Sequence, residues 1–306
     1  SHPHPGAAPM SAIPTYVVLV TGAATGIGNL TARTLADAGH TVYASMRDPH
    51  GRNAERSKAL EEHAAAGPGA LHVIELDVLS QESAQQDANA ITEAEGRLDA
   101  VVHNAGRLVI GVTEAFSAQE VLDVLDSNAV GALRVNRAVL PHFRARGEGL
   151  LLYVGSVTSR INSPFQGPYV AAKAALDALA QATAFETVRY GIDTSIVMPG
   201  AFTDGTDHFA GAAGPADQER EAAYDRLAGL PEQLAARLET LVPEGTAVDP
   251  QTVADEVARI LALPAGTRPF RSVVDFQHHG AEQINEVAER MQADLMNRMG
   301  IGDLHR

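Results

Sequence analysis

Short runs of apolar, often β-branched residues alternate with alanine-rich stretches along most of the chain from residue 15 onward. The first run, residues 16–20, is apolar at every position, which is typical of a strand covered on both faces of a sheet. Similar runs predict six further strands, at residues 41–45, 71–76, 100–103, 150–155, 192–198 and 272–275. Helical segments separate nearly all of them. This alternation predicts an α/β fold, a doubly wound parallel sheet with helices on both faces.

Two helices can be placed from their own signals. Residues 30–38 follow the first predicted strand, and Gly39 is a typical C-terminal stop for them. Near the C-terminus a second helix carries one apolar stripe at helical spacing, made of Ile284, Val287, Met291, Leu295 and Met299. We expect this stripe to pack on the core of its own subunit, with a subunit interface as the alternative.

The order of the elements predicts a simple domain organisation. Residues 1–14, rich in Pro, Gly and Ala, are expected to form a flexible tail, and residues 15–306 a single domain. Residues 201–252 form a long segment that is rich in Gly, Pro and acidic residues and contains a predicted helix around 218–227. We interpret this segment as a mobile lid over a functional site.

Composition narrows the possible functions. The chain of 306 residues is 45% hydrophobic and 20% charged, as in an ordinary globular protein, and its net charge is −15. This acidity argues against binding to nucleic acids or to anionic membranes. The absence of cysteine excludes disulfides and thiolate metal sites and suits the cytoplasm. No apolar run approaches the ~18 residues of a transmembrane helix, and no metal site is predicted.

A glycine-rich turn follows the first predicted strand directly, with the sequence Thr21-Gly22-Ala23-Ala24-Thr25-Gly26-Ile27-Gly28. Glycines at a strand–helix junction allow a tight turn and a close approach of the backbone to a ligand. The helix N-terminus behind them supplies free N–H groups and a positive dipole end for a pyrophosphate. The spacing is Gly-x-x-x-Gly-x-Gly and not the commoner Gly-x-Gly-x-x-Gly. The turn predicts a dinucleotide site.

A second motif offers proton chemistry. Tyr169 and Lys173 are four residues apart, and Ser156 precedes the tyrosine by thirteen positions. On a helix, the phenol and the ammonium lie on the same face, one turn apart. A nearby cation favours the phenolate and lowers the tyrosine pKa from its ordinary ~10 toward the range that general acid–base catalysis uses.

These motifs occur in one order with Asn104-Ala105-Gly106, Asn128 and Pro199-Gly200. Over about residues 15–200 the chain resembles the single-domain branch of the short-chain dehydrogenases/reductases, with their TGxxxGxG and YxxxK motifs. The resemblance implies a seven-stranded Rossmann-type sheet that binds a nicotinamide dinucleotide. It implies an oxidoreductase that interconverts a ketone or aldehyde with its alcohol, and a homo-oligomer, either a dimer or a tetramer.

The resemblance also implies roles for four catalytic residues. Tyr169 would be the general acid and base, and Lys173 would lower the tyrosine pKa and bind the nicotinamide ribose. Ser156 would steady the substrate oxygen, and Asn128 would help connect the lysine to a proton-relay water. Two structural alternatives remain open, since Ser156 could cap the loop after its strand and Asn128 could be a buried amide that bridges backbone groups.

The cofactor contacts implied by the resemblance lie along the carboxyl edge of the sheet. They are Gly22, Thr25, Gly26, Ile27, Gly28, Arg47, Asp77, Val78, Asn104, Ala105, Gly106, Tyr169, Lys173, Pro199, Gly200 and Thr203. Thr206 lies as near as Thr203 to the position of a threonine that contacts the nicotinamide amide. Asp77 could instead begin the next helix as its N-cap. His103 replaces the asparagine more usual in the family, and we assign it no chemistry.

The end of the second predicted strand indicates the choice of cofactor. An acidic residue here would hold the ribose 2′-hydroxyl of NAD, whereas an arginine accommodates the 2′-phosphate of NADP. The family's acidic position falls on Met46, and Arg47 follows it with a fork of donors suited to phosphate. We therefore favour NADP over NAD. Asp48 is the rival residue, because a shift of two positions would give it the NAD role.

The substrate is indicated only by its class. The positions that line the pocket in the family are mostly apolar in this chain: Val157, Ile161, Pro164, Phe165, Gln166, Ala201, Phe202, Thr203, Phe209 and Tyr224. They favour an apolar carbonyl or alcohol as the substrate. A sugar-nucleotide epimerase or dehydratase is the alternative within the fold class, and a dinucleotide-sensing regulator without catalysis is the alternative outside the enzymes.

Overall fold

Seven parallel strands form one sheet in the computed structural model, which describes residues 14–305. The strands are β1 (Val17–Val20), β2 (Thr41–Met46), β3 (Ala70–Glu75), β4 (Ala100–His103), β5 (Gly149–Val154), β6 (Ile192–Pro199) and β7 (Arg271–Val274). Their order in the sheet is β3-β2-β1-β4-β5-β6-β7. The predicted Rossmann-type α/β fold is confirmed, and every strand begins and ends within one residue of its predicted bounds. The tail predicted at residues 1–14 lies outside the described residues, apart from Pro14.

Ten α-helices lie within the described part of the chain. They are α1 (Gly26–Asp37), α2 (Ala54–Ala65), α3 (Gln81–Glu95), α4 (Ala118–Leu125), α5 (Gly131–Arg146), α6 (Gly167–Thr187), α7 (Gln218–Ala222), α8 (Leu234–Glu239), α9 (Gln251–Ala262) and α10 (Ala281–Arg298). Helices α1, α2 and α9 cover one face of the sheet, and α3, α5 and α6 cover the other.

Strand β1 has no polar residues because both of its faces are buried. Val17 and Leu19 point into the apolar core on the α3/α5/α6 side, whereas Val18 and Val20 point into the core on the α1/α2/α9 side. All four side chains are buried. Because successive residues of a strand face opposite sides, a strand covered on both faces needs apolar residues throughout.

The parallel topology gathers the predicted motifs at one edge of the sheet. The turn from Thr21 follows β1, the segment from Asn104 follows β4, and Ser156 and Gly200 follow β5 and β6. Strands β1 and β4 are neighbours, but the chain runs from β1 toward β2 and from β4 toward β5, on opposite sides. These diverging connections open a crevice at the carboxyl ends of the two strands. Ligands of such sheets bind in this crevice.

Helix α1 begins at Gly26, four residues before the predicted start at residue 30. The apolar periodicity becomes clear only at Leu30, because Gly26 and Gly28 interrupt it in the first turn. A Cβ atom at Gly28 would be 2.1 Å from the carbonyl oxygen of Gly22 and 2.4 Å from Asn104 Nδ2. A side chain at residue 28 would therefore collide with the turn, so glycine is needed there for α1 to start this close to Gly22.

The C-terminal helix α10 does not pack as expected. Ile284, Val287, Met291, Leu295 and Met299, the predicted core stripe, are all exposed, with relative accessibilities from 36% to 60%. The expectation that the stripe packs on the core of its own subunit is therefore wrong. The helix instead buries an adjacent face made of Ala281, Asn285 and Met296. The alternative, a subunit interface, stays a prediction.

The segment interpreted as a lid runs back over the carboxyl edge of the sheet. The Ile110 N–H donates to the carbonyl oxygen of Ala213 at 3.0 Å, and the Val112 N–H donates to Glu221 Oε2 at 2.8 Å. Helix α7 and one 3₁₀ turn, Asp225–Leu227, account for the helix predicted around residues 218–227. The segment is thus tied to the chain between β4 and α4.

A buried polar network joins β4, β5 and α5. His103 Nε2 lies 2.7 Å from Asn136 Oδ1, and Asn136 Nδ2 donates to the Tyr153 hydroxyl at 2.8 Å. The His103 and Tyr153 rings stack with centroids 4.7 Å apart. Burial lowers the pKa of His103 to about 4, so the ring is neutral at physiological pH. His103 is therefore a structural residue in this fold.

Asn136→Ala should destabilise the protein by roughly 2–4 kcal/mol, because His103 and Tyr153 would remain buried without their shared partner. Urea unfolding monitored by circular dichroism measures the change. Asn89→Ala, at an exposed position of α3, is the control and should change the free energy of unfolding by less than about 0.5 kcal/mol. Equal stability of the two variants would contradict a structural role for the network.

Candidate active site

A cavity of about 1000 Å³ lies at the carboxyl edge of the sheet. It extends from Arg47, past the glycine turn, to Ser156, Tyr169 and Lys173, and it continues under the lid segment to Phe209. Its volume is at the upper end of the range for ligand pockets. It contains most of the predicted motifs.

The glycine turn is held in shape by the segment after β4. Asn104 Nδ2 donates to the carbonyl oxygen of Gly22 at 3.1 Å, and Thr21 Oγ1 accepts from the backbone N–H groups of Asn104 and Ala105 at 3.0 and 3.1 Å. Gly22 has a φ of +64°, and a Cβ atom there would lie 2.8 Å from the Ala105 Cα. The Asn104-Ala105-Gly106 motif thus supports the turn and also borders the cavity.

The start of α1 offers donors for an anion. The first N–H groups of a helix have no acceptor within it, and the Thr25 side chain makes no capping hydrogen bond to them. Thr25, Gly26 and Ile27 border the cavity. Free N–H groups, the positive end of the helix dipole and a backbone without bulky side chains fit the pyrophosphate of a dinucleotide.

Three arginines border the far end of the cavity. They are Arg47, at the end of β2, and Arg52 and Arg56, from the turn before α2 and from α2 itself. Asn53 joins two of them, because its Nδ2 donates to the Arg47 carbonyl oxygen at 2.6 Å and its Oδ1 accepts from Arg56 Nη1 at 3.0 Å. Asp48 is turned away and accepts from the Arg52 N–H at 2.9 Å. This end of the cavity therefore presents cationic side chains.

Helix α6 positions the predicted proton donor. Its first turns carry Tyr169 and Lys173 on the buried face, next to Ser156 at the end of β5. Lys173 Nζ lies 5.7 Å from the centroid of the Tyr169 ring and donates to the Val154 carbonyl oxygen at 3.1 Å. Ser156 Oγ accepts from the N–H and the hydroxyl of Thr158 at 3.1 and 2.8 Å. Ser156 caps its loop and borders the cavity as well.

Burial dominates the electrostatics of this group. It raises the pKa of Tyr169 above its usual range, and the hydrogen bond with Ser156 only partly opposes that shift. Burial also lowers the pKa of Lys173 to about 8. The lowering of the tyrosine pKa that we expected from Lys173 is therefore absent from this structure, because the cost of removing a phenolate from water exceeds the attraction of the ammonium.

Asn128 lies in a five-residue π-helical turn, Asp126–Val130, between α4 and α5. Its Oδ1 accepts from the Arg107 N–H at 3.1 Å, and its Nδ2 donates to the carbonyl oxygens of Arg107 and Val124 at 3.1 and 3.0 Å. The side chain thus bridges backbone groups, which is the structural role considered for it. A separate void of about 10 Å³, the size that one water molecule needs, also borders Asn128.

Most other residues predicted for the site border the cavity, including Asp77, Val78, Pro199 and Gly200. Ser80, and not Asp77, is the N-cap of α3. The residues predicted for the site that do not border the cavity are Gly28, Asn128, Ile161, Pro164, Phe165, Thr203 and Tyr224. Thr206 borders it.

Arg52, Arg56 and His208 border the cavity but were not predicted for the site from the sequence. His208 lies in the lid segment, with Nε2 at 3.2 Å from the Tyr169 hydroxyl oxygen. Burial, with a smaller contribution from the Lys173 cation, lowers the pKa of His208 to about 4. Two arginines four positions apart just after a cofactor strand were an available signal, whereas the path of the lid gave no local signal for His208.

Neither a membrane span nor a metal cluster is found over residues 14–305. None of the helices there is both long enough and apolar enough to cross a bilayer. Over the same residues, no three histidine or carboxylate side chains come together in a group that could hold a metal ion.

Known proteins resemble the chain over the part that carries the site. The human 17-beta-hydroxysteroid dehydrogenase type 1 is 38% identical over 189 residues, which make up 60% of this chain and 56% of the human protein. The 3-ketodihydrosphingosine reductase of Bacteroides thetaiotaomicron is 30% identical over 189 residues, 62% of this chain and 65% of that protein. The chain therefore spans less than two thirds of either relative.

A solved structure extends the similarity to nearly the whole chain. A short-chain dehydrogenase from Streptomyces avermitilis shares 28% identity at a TM-score of 0.69, covering 95% of this chain and 99% of that one. A family model described as short chain dehydrogenase matches residues 16–213. With its parallel sheet, glycine turn and Tyr169/Lys173 pair, the chain belongs to the short-chain dehydrogenase family.

Proposed function

We propose that the protein is an NADP(H)-dependent oxidoreductase that interconverts a ketone or aldehyde with its alcohol, using Tyr169 as general acid and base. One observation carries the proposal. A single cavity joins Ser156, Tyr169 and Lys173 to a helix N-terminus with free N–H groups and to a cluster of arginines. A nicotinamide dinucleotide matches this order of donors, with its pyrophosphate at Gly26 and its adenosine end near Arg47.

Tyr169 is in the protonated form that carbonyl reduction requires. Its raised pKa keeps the phenol neutral at physiological pH, so it has a proton to donate to the substrate oxygen. Ser156, whose hydroxyl both donates and accepts, would hold the same oxygen. The cofactor would supply the hydride when bound, and the protein would supply orientation and the proton.

Lys173 would act after the proton has left the phenol. With a pKa of about 8 it is mostly charged at neutral pH, and its ammonium lies 5.7 Å from the centroid of the Tyr169 ring. This charge favours the phenolate that proton donation leaves behind. The void beside Asn128 has room for one water molecule, but neither Lys173 nor Tyr169 borders it.

The arginine cluster favours NADP over NAD. Arg47, Arg52 and Arg56 offer several forked donors to a 2′-phosphate. Asp48, the rival residue for an NAD role, is used by its own turn and does not border the cavity. An NAD(H)-dependent enzyme of the same family is the second candidate.

Apolar side chains at the substrate end favour a lipophilic substrate. Val157, Phe202, Phe209 and Leu108 border the cavity there. The relatives named above act, by their names, on a 17β-hydroxysteroid and on 3-ketodihydrosphingosine, both of which are largely apolar. We propose a substrate of this class, an apolar carbonyl compound or its alcohol. A dinucleotide sensor without catalysis would have no need of the Tyr169/Lys173 pair.

Tyr169→Phe should lower turnover at least ~100-fold, because the phenyl ring has no proton to donate. The assay follows the absorbance of the reduced nicotinamide with a 17β-hydroxysteroid and NADP⁺ and with 3-ketodihydrosphingosine and NADPH. Tyr190→Phe, at a position 52% exposed, is the control and should keep full activity. Undiminished turnover in Tyr169→Phe would exclude the mechanism, and cofactor binding without any turnover in the wild type would favour the sensor.

The double variant Arg47→Ala/Arg56→Ala should raise KM for NADPH about ten-fold or more, since charge-assisted hydrogen bonds to the phosphate are lost. KM for NADH should change much less. Lys58→Ala is the matched control, because Lys58 is a cation on α2 that does not border the cavity. Equal effects on both cofactors would show that the arginines do not select the phosphate.

Lys173→Met should remove a pH dependence of stability. The folded protein loses the Lys173 proton near pH 8, whereas an ordinary lysine holds it to 10.5. The unfolded chain thus binds more protons between these values. Between these values Lys173 should therefore add on the order of 2 kcal/mol to the free energy of unfolding of the wild type relative to the variant. Urea unfolding of both proteins across this pH range measures that difference, in which the contributions of the buried tyrosines, whose pKa values are raised in the folded state, cancel.

Lys58→Met is the control for this measurement. Lys58 is the only other lysine of the chain, and its side chain is 76% exposed. Its variant should show the same pH dependence of stability as the wild type. The same dependence in Lys173→Met would mean that burial does not lower the pKa of Lys173.

A further inference from the structure

His208 reaches the reacting end of the cavity from the lid segment. Its Nε2 is 3.2 Å from the Tyr169 hydroxyl oxygen, and the two rings meet edge to face with centroids 5.4 Å apart. His208 borders the same cavity as Ser156 and Lys173. The His208 imidazole thus hydrogen-bonds the hydroxyl that is proposed to exchange a proton with the substrate oxygen.

We propose that His208 is a gating residue, whose imidazole occupies the place at the Tyr169 hydroxyl that the substrate oxygen must take, and which leaves when substrate binds. The proposal rests on the proposed function, since it needs Tyr169 to act on a carbonyl or alcohol oxygen. It concerns what the substrate has to displace and not the chemical step itself.

The hydrogen-bonding capacity of the phenol makes the two partners competitors. A tyrosine hydroxyl has a single proton to donate. Ser156 hydrogen-bonds the same hydroxyl, and His208 takes a further hydrogen-bonding position at it, so a substrate oxygen has to compete with the imidazole. When His208 accepts the phenol proton, that proton is not available to the substrate. When His208 donates instead, its ring still fills the space beside the hydroxyl.

The contacts that hold His208 are few and local. Its backbone N–H donates to Thr206 Oγ1 at 3.3 Å, and Thr206 Oγ1 donates to the Phe202 carbonyl oxygen at 3.3 Å. The Gly211 N–H donates to the Asp207 carbonyl oxygen at 2.7 Å. These bonds shape a short turn within the lid segment. The imidazole itself has a single hydrogen bond, to Tyr169, within the described structure.

The charge state of His208 keeps its displacement inexpensive. Burial and the Lys173 cation hold its pKa at about 4, so the imidazole is neutral at the pH of an assay near neutrality. A hydrogen bond between two neutral groups is worth less than one to a charged group. A substrate oxygen can therefore replace it without breaking an ion pair.

His208→Ala should lower KM for the carbonyl substrate by roughly 3- to 10-fold, the factor that corresponds to an ordinary net hydrogen bond, while kcat changes less than about two-fold. His208→Gln retains a side chain able to hydrogen-bond the phenol and should stay closer to the wild type. Asp204→Ala is the matched control, because Asp204 is exposed in the same segment and does not border the cavity. The probe is 3-ketodihydrosphingosine or the 17β-hydroxysteroid, whichever the wild type turns over.

A second measurement tests the same contact without turnover. In Tyr169→Phe, His208 has no hydroxyl to hold, so adding His208→Ala should leave the affinity for the probe unchanged. Calorimetric titration of the probe into the two proteins loaded with the cofactor measures that affinity. A gain in affinity on His208→Ala that is confined to proteins with Tyr169 would support the gate.

Two outcomes would overturn the gate while leaving the proposed function intact. A rise in KM in His208→Ala would mean that His208 holds the substrate, and an unchanged KM would mean that it only packs against the tyrosine. A wild type without turnover on any carbonyl or alcohol would instead count against the proposed function. The failures of the two proposals are therefore distinguishable.

Discussion

The site depends on the parallel pairing of β1 with both β2 and β4. Val18 pairs with Val42 on one side and with Ala100 on the other, so the turns that leave β1 and β4 end at the same edge. There the Asn104 side chain holds the Gly22 carbonyl oxygen and shapes the turn that precedes α1. A slip of one residue in either pairing would exchange the two faces of β1, so that Leu19 would leave the core on one side of the sheet and Val18 the core on the other. The core packing that specifies the register therefore also places the cavity.

Burial sets the proton chemistry more strongly than the pairing of charges does. Tyr169 and Lys173 are both buried, and each pKa moves in the direction that favours its neutral form. The lysine would lose its proton before the tyrosine does, the reverse of a simple phenolate–ammonium pair. Burial keeps the phenol proton in place until a partner arrives, and the Lys173 charge then favours the phenolate. Burial thus keeps the proton on Tyr169, whereas the charge of Lys173 stabilises the phenolate once the proton has been donated.

The sequence predicted those features that depend on local pattern or on short motifs. The unbroken apolar run at residues 16–20 required a sheet covered on both faces, and the strand ends then brought the motifs together. Helical periodicity could not show which side of α10 meets the core, and the stripe at Met291 is exposed while Met296 is buried. The four-residue spacing of Arg52 and Arg56 was an available signal for that end of the cavity, but the turn at Asp48 that precedes them, where φ is +47°, has no periodic pattern.

The lid segment is held by more hydrogen bonds around residues 213–224 than around His208. This difference indicates which part can move more easily to open the cavity. At its outer part, Ala213 and Glu221 accept hydrogen bonds from the backbone between β4 and α4, and Tyr224 donates to Glu114 at 2.9 Å. At its inner part, His208 has one bond between neutral groups. Several bonds must break together to release the outer part, whereas one suffices to free the imidazole. Rearrangement of the inner turn is therefore the less costly way to admit a substrate oxygen to the phenol.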